Sequence, residues 1–292
     1  MIQRRDLFLG LALLSVFAVI ILIAFIMLST LATDGIHLAE KSVAVIEING
    51  PIFSPEYVVK KLEKYIKDKN IPAIVIRLNT PGGGVSATQE IFETVKKARR
   101  AGKKVIASMG AVSASGGYYI AAACDSIVAT PGTITGSIGV IATFPDFSGL
   151  YDKIGVGFNV RTSGKFKDTG SPARKMTDEE KAIIDEIVMD TYDQFITAVA
   201  EGREMDIDSV RKLADGRVFT GRQAQNNGLV DLLGTYQVAI DLAGVLAGLG
   251  EDPPVYKETK SSLSEMLLDL KNNYFSIGID NNIPKISYIM GY

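Results

Sequence analysis

The sequence predicts an α/β domain placed behind a single N-terminal transmembrane helix. Two observations carry that expectation. Residues 42–250 alternate short β-branched runs with amphipathic stretches at helical spacing, the pattern of a sheet flanked by helices. Ahead of them, Leu7–Leu28 reads LFLGLALLSVFAVIILIAFIML, with no charge between Asp6 and Asp34. A bilayer core needs ~20 apolar residues at helical rise. The chain has 292 residues, 47% of them hydrophobic, which is ample for a buried core.

The apolar run is longer than the ~7–15 residues of a signal-peptide core and no Ala-x-Ala site follows it, so it reads as an uncleaved anchor. Arg4 and Arg5 precede it, while Asp34, His37, Glu40 and Lys41 follow, which keeps the N-terminus in the cytoplasm and the rest extracytoplasmic. The expected divisions are 1–33 for the cytoplasmic N-terminus and anchor, 34–250 for the core domain and 251–292 for a peripheral tail.

Within the core, strands are expected at Val43–Ile48, Ala73–Leu78, Val105–Met109 and Ser126–Ala129. Ser54-Pro55 opens a helix, with Ser54 as the capping hydroxyl and Val58, Leu62 and Tyr65 on one face. A second helix near Thr88–Arg100 ends in Lys96, Lys97, Arg99 and Arg100, a solvated end that complements the helix dipole. Thr177-Asp-Glu-Glu180 is a capping box before a long helix carrying Ile183, Ile184, Ile187, Val188, Tyr192, Phe195, Ile196 and Val199 inward. Thr220-Gly-Arg-Gln223 repeats that box ahead of Gly228-Leu-Val-Asp231. After Pro253-Pro254 come a strand-like Val255-Tyr256 and an amphipathic Leu263–Leu270.

Composition removes several chemistries. A formal charge of −2 leaves no basic field for a nucleic-acid backbone. Cys124 is the only cysteine, so an internal disulfide and a Cys-based metal site are excluded. His37, the only histidine, lies just past the apolar run, so a Ser-His-Asp or Cys-His site within the core is excluded and hydrolysis would need another base.

Three segments carry candidate chemistry. In Ala111-Val-Ser-Ala-Ser115-Gly-Gly-Tyr-Tyr-Ile-Ala-Ala-Ala123 a serine sits on a tight strand-to-helix turn, where free N–H groups stabilise developing negative charge. The plain alternative is a small-residue turn with alanines for close packing. Asn79-Thr-Pro-Gly-Gly-Gly84 follows a strand and precedes a helix, so its glycines can aim N–H groups at a carbonyl oxygen. It lacks the Lys-Ser/Thr ending of a phosphate loop, and alone it is equally a glycine turn. With histidine excluded, lysine is the remaining base. Ser163-Gly-Lys165-Phe-Lys167-Asp-Thr-Gly-Ser-Pro172 offers two that share a side if the segment is extended, so local pattern does not choose between them. A lysine acting as a base must move from ~10.4 toward ~7–8, a shift of about 3–5 kcal/mol that demands shelter or positive neighbours.

These segments, with Thr135-Gly-Ser137-Ile-Gly139 and Ala214-Asp-Gly-Arg-Val-Phe-Thr-Gly-Arg222, resemble the signal peptide peptidase A (SppA) family in order across about Val45–Gly234. The resemblance implies a ClpP/crotonase-like fold of repeated ββα units, a membrane anchor, a ring-like homo-oligomer and a Ser-Lys dyad. It implies Ser115 as nucleophile, Lys167 rather than Lys165 as base, Ser137 as the hydroxyl that orients the lysine, and Gly83 and Gly116 N–H groups as the oxyanion hole. Thr80 departs from the serine common in the family, a change of little consequence where the backbone supplies the donor. The implied activity is cofactor-free hydrolysis of apolar peptides, remnant signal peptides above all. A crotonase-type acyl-CoA enzyme and a catalytically silent membrane scaffold are the competing readings; the anchor and the Ser-Lys pattern disfavour the first. The tail is expected near the subunit contacts or the peptide groove.

Overall fold

The computed structural model describes residues 14–15, 17–22, 40–257 and 285–290. The chain divides into two units, Met1–Glu40 and Lys41–Tyr292. In the first, the described residues 14–15 and 17–22 are helical and exposed. Among the described residues no helix is long and apolar enough to cross a membrane. The rest of the Leu7–Leu28 run, His37 and Leu263–Leu270 lie outside them.

In the second unit the strands are β1 (Val43–Asn49), β2 (Ala73–Thr80), β3 (Gly82–Gly84), β4 (Lys104–Ala114), β5 (Ser126–Ala129), β6 (Ile134–Gly136), β7 (Ile141–Thr143), β8 (Val218–Thr220), β9 (Leu232–Leu233), β10 (Val255–Tyr256) and β11 (Lys285–Ile289). The helices are α1 (Glu56–Lys67), α2 (Val85–Arg100), α3 (Gly116–Ala122), α4 (Ser148–Ile154), α5 (Asp178–Arg203), α6 (Ile207–Leu213), α7 (Gly221–Asn226) and α8 (Tyr236–Leu246). The main sheet runs β10-β1-β2-β4-β5-β9, all parallel, with β6 pairing the far end of β4 and β8 running antiparallel to β6.

Strand alternation sets the two cores. Ala44, Ile46 and Ile48 of β1, Ile74, Ile76 and Leu78 of β2, and Val105, Ala107 and Met109 of β4 face one layer, which includes Leu62, Ile91, Ile120 and Phe195 of the helices. Val43, Val45, Ala73, Val75 and Ile106 point the other way, onto Ala239, Ile240 and Ala243 of α8. Burial on both faces is why these strands read as near-continuous apolar runs.

Several expectations needed adjustment. Ser54 makes no cap; Pro55 holds that position before α1 without a side-chain hydrogen bond. β4 continues to Ala114, well past Met109, because its far end finds a second partner in β6. Both capping boxes form as expected, at Thr177–Glu180 and at Thr220–Gln223. The long helix α5 is buried at Thr191, Phe195, Ile196, Ala198 and Val199, whereas Ile187 and Met189 stay exposed. The basic end of α2 is ion-paired, Lys97 with Glu63 at 2.6 Å and Arg99 with Asp125 at 2.9 Å.

Candidate active site

The site forms where the carboxyl ends of β2 and β4 part, the usual location of a ligand crevice in a parallel sheet. Their register shifts between Leu78, opposite Met109, and Thr80, opposite Ser113, and β2 ends there and turns into β3. Thr80 is buried, and its hydroxyl accepts from Gly82 N–H at 3.1 Å. It therefore fastens the Pro-Gly-Gly turn through a side chain, a structural role the sequence reading had not assigned. β3 then packs against Ile52: Ile52 N–H donates to the Gly82 carbonyl and Gly84 N–H to the Ile52 carbonyl, both at 2.9 Å. A side chain at Gly83 would overlap the Ile52 backbone, so only glycine fits there.

At the end of β4 the chain turns sharply into α3 through Ser115, whose φ of 53° and ψ of −116° lie in a region that L-residues rarely enter. Such backbone costs about 1–3 kcal/mol and persists only where its surroundings hold it. Here Ser115 N–H donates to the Gly136 carbonyl at 2.8 Å, and the Ser115 carbonyl accepts from Tyr119 N–H at 2.9 Å, the first bond of the helix. Ser115 is fully buried and its Oγ has no hydrogen-bond partner. An orphaned hydroxyl on a strained, buried turn serves no packing purpose evident in the fold.

Ser137 comes alongside because β6 pairs with the end of β4, Ala114 opposite Gly136. It too has positive φ, 50°, and its N–H donates to the Arg217 carbonyl at 2.8 Å. Arg217 belongs to the Ala214–Arg222 segment, whose β8 backs β6 and whose Phe219 fills the space beside Gly136. The Arg217 guanidinium chelates the Asp215 carboxylate and holds its pKa down to about 2. That segment was legible only as part of a resemblance; its physical task is to brace Ser137. An open cavity of about 480 Å³ lies against Ser137, bounded by Val188, Met189 and Tyr192 of α5 and by Ile289.

Ser115, Ser137, Gly83 and Gly116 thus converge, and the lysines do not. Residues 163–170 form successive turns rather than an extended segment, so the shared side expected of Lys165 and Lys167 does not arise. Lys165 pairs with Glu179, and Lys167 is exposed. Neither reaches the Ser115 hydroxyl in the single chain. What fixes this loop is Arg174, which grips Asp168 through Nε and Nη2 at 2.9 Å each and Glu180 through Nη1 at 2.8 Å and Nη2 at 2.5 Å. Hydrogen bonds from Arg174 hold both carboxyls below the usual carboxylate range, with Thr177 N–H adding to the effect at Glu180. The clamp welds the lysine loop to the capped start of α5.

If the turn at Ser115 is strained, Ser115→Gly relieves it and Ser115→Ala does not. Chemical denaturation should find the glycine variant about 1 kcal/mol more stable than the alanine variant, even after glycine's extra unfolded-state entropy. A glycine variant no more stable than the alanine one would mean that the turn stores no strain.

Known proteins similar to this chain include peptidases. A profile described as peptidase family S49 matches residues 97–250. A protein named as a protease in Synechocystis sp. is 45% identical over 73% of this chain and 76% of its own. One named as signal peptide peptidase SppA in Enterococcus faecium is 42% identical over 62% of this chain, which spans about half of that relative, 53%. A chloroplastic serine protease, SPPA, of Arabidopsis thaliana is 32% identical over 86% of this chain and 38% of its own. The chain belongs to peptidase family S49 and is a serine peptidase.

Proposed function

We propose that this chain is a membrane-anchored endopeptidase that hydrolyses apolar peptides, remnant signal peptides among them, with a Ser115-Lys167 dyad. The observation that carries the reading is Ser115: a buried, unpartnered hydroxyl on a strained strand-to-helix turn, beside the glycine strand β3. In this mechanism Ser115 Oγ attacks the peptide carbonyl and gives its proton to Lys167. The Gly83 and Gly116 N–H groups hold the oxyanion. Lys167 returns the proton to the leaving amine, and a water molecule activated by the same lysine releases the acyl-enzyme. Ser137, braced by Arg217, orients the lysine. The parallel sheet with glycine-rich loops at its carboxyl ends accords with a ClpP/crotonase-like arrangement. The Leu7–Leu28 run with Arg4 and Arg5 before it supports an anchor whose catalytic domain is extracytoplasmic.

A lysine base needs shelter from water, and Lys167 is exposed in the isolated chain. The same excursion leaves Leu150, Ile154, Phe158 and Val160 more than half exposed. Large apolar side chains exposed this close together in the chain suit an interaction face. We assign it to a homo-oligomer, ring-like in form, in which a neighbouring copy covers the lysine loop and completes the site.

Ser115→Ala should abolish hydrolysis of an apolar peptide, and Lys167→Ala should lower kcat by ~10²-fold or more while Lys165→Ala stays milder. Substantial turnover by folded Ser115→Ala protein, or greater damage from the Lys165 change, contradicts the dyad. A silent scaffold would lose nothing with any of the three. A variant lacking residues 1–33 should sediment as an oligomer, with peptide hydrolysis tracking the assembled fraction. A stable monomer of full specific activity would remove the argument from shelter.

A further inference from the structure

Four carboxylates lie between Ser163 and Lys181, and each is held by a cation other than Lys167. Asp168 accepts from Arg174 Nε at Oδ2 and from Nη2 at Oδ1, both at 2.9 Å. Glu180 is filled on both oxygens: Oε1 accepts from Arg174 Nη2 at 2.5 Å and Thr169 Oγ1 at 3.2 Å, and Oε2 from Arg174 Nη1 and Thr177 N–H at 2.8 Å each. Glu179 pairs with Lys165, and Asp178 pairs with Lys181 at 2.8 Å. Among the described residues Lys167 has no ion pair.

That pattern bears on proton transfer. A lysine that takes a proton from a serine must first be neutral, and a carboxylate at its side favours the ammonium form instead. Asp168 follows Lys167 directly in the chain, so it is the carboxylate best placed to capture the lysine. Arg174 draws it off. A guanidinium can serve two carboxylates at once because its N–H groups form a planar fork, which a lysine ammonium does not match. The far end of the fork is fixed, since the Glu180 side chain is only 2% exposed and a charge so buried is costly without a partner. The backbone on both sides of Lys167 is tied as well. Its own N–H donates to the Gly164 carbonyl at 3.2 Å, and the Asp168 carbonyl accepts from Ser171 N–H at 3.0 Å and from Arg174 Nη2 at 3.4 Å.

We propose that Arg174 is a positioning residue for the base: it draws the Asp168 carboxylate away from Lys167 and fixes the turn that carries the lysine, leaving Lys167 free to serve Ser115. The assignment rests on the Ser115-Lys167 mechanism above and adds what keeps its lysine unpaired. Lys165, two residues earlier, already has Glu179. The remaining charged groups of the loop and the start of α5 are the Asp178-Lys181 pair and Lys175, which acts on Asp146.

The test uses the full chain in detergent micelles, with turnover of an apolar peptide followed across pH. In the unaltered protein, kcat rises with pH as the base loses its proton. In Arg174→Gln the released Asp168 favours the ammonium, so the midpoint of that rise should move up by about one pH unit and kcat on its acidic side should fall about tenfold, with KM little changed. Adding Asp168→Asn should return the midpoint to that of the unaltered protein, a rescue that a merely structural role of Arg174 does not give. If Arg174→Gln fails to fold because Glu180 is left buried and unpaired, Arg174→Gln/Glu180→Gln removes that charge, and the same comparison is made with and without Asp168→Asn. A midpoint that stays put, or one that moves and is not restored by Asp168→Asn, overturns the role of Arg174 while the dyad stands. Full turnover by folded Lys167→Ala protein defeats the dyad and this proposal with it.

Discussion

The hydrogen bond from Ser115 N–H to the Gly136 carbonyl is the constraint on which the site depends. It holds the chain at φ 53° between the end of β4 and the start of α3, where an unrestrained serine would relax. Because β6 supplies that carbonyl, the same contact brings Ser137 alongside, and because α3 starts at once, it presents Gly116 N–H and places Tyr119 one turn away. The bond in turn is supported from behind. Arg217 accepts from Ser137 N–H, Phe219 fills the space at Gly136, and β8 pairs along β6. A backbone geometry at Ser115 that costs energy locally is thus stabilised by the β6–β8 strand pair behind it.

The opposite wall is made by the break in register between β2 and β4. Beyond Thr80 the glycine strand β3 has two edges, and Ile52 takes one. β11 occupies the other. The lysine loop belongs to a third region, anchored by Arg174 to Asp168 and Glu180 rather than by the core. Ser115 and the glycines are therefore brought together by the fold of one chain, whereas Lys167 stays exposed on a separate loop.

Much of this was legible in the sequence because local chemistry decides it. β-branched runs buried on both faces marked β1, β2 and β5, and the boxes at Thr177 and Thr220 marked the starts of α5 and α7. Ser115 and the glycine run stood out through their position after strands. What the sequence left hidden depends on distant partners. The extension of β4 needed β6, the brace on Ser137 needed Arg217, and the burial of Tyr288 needed Gly83, Tyr119 and Thr191. Local pattern does not choose between Lys165 and Lys167, and the Arg174 clamp, closing turns between Asp168 and Glu180, has no signature in spacing.

The central claim is that the native, assembled protein makes one serine of this chain reactive. Ser113, Ser115 and Ser137 are all buried, and two of them, Ser115 and Ser137, sit on positive-φ backbone, so the claim is specific. Treating the full-length protein with a small fluorophosphonate, digesting it and sequencing the modified peptide by mass spectrometry tests it directly. The account predicts a single adduct on Ser115, absent after prior denaturation. An adduct on Ser137 or Ser113, or labelling that survives unfolding, would contradict it.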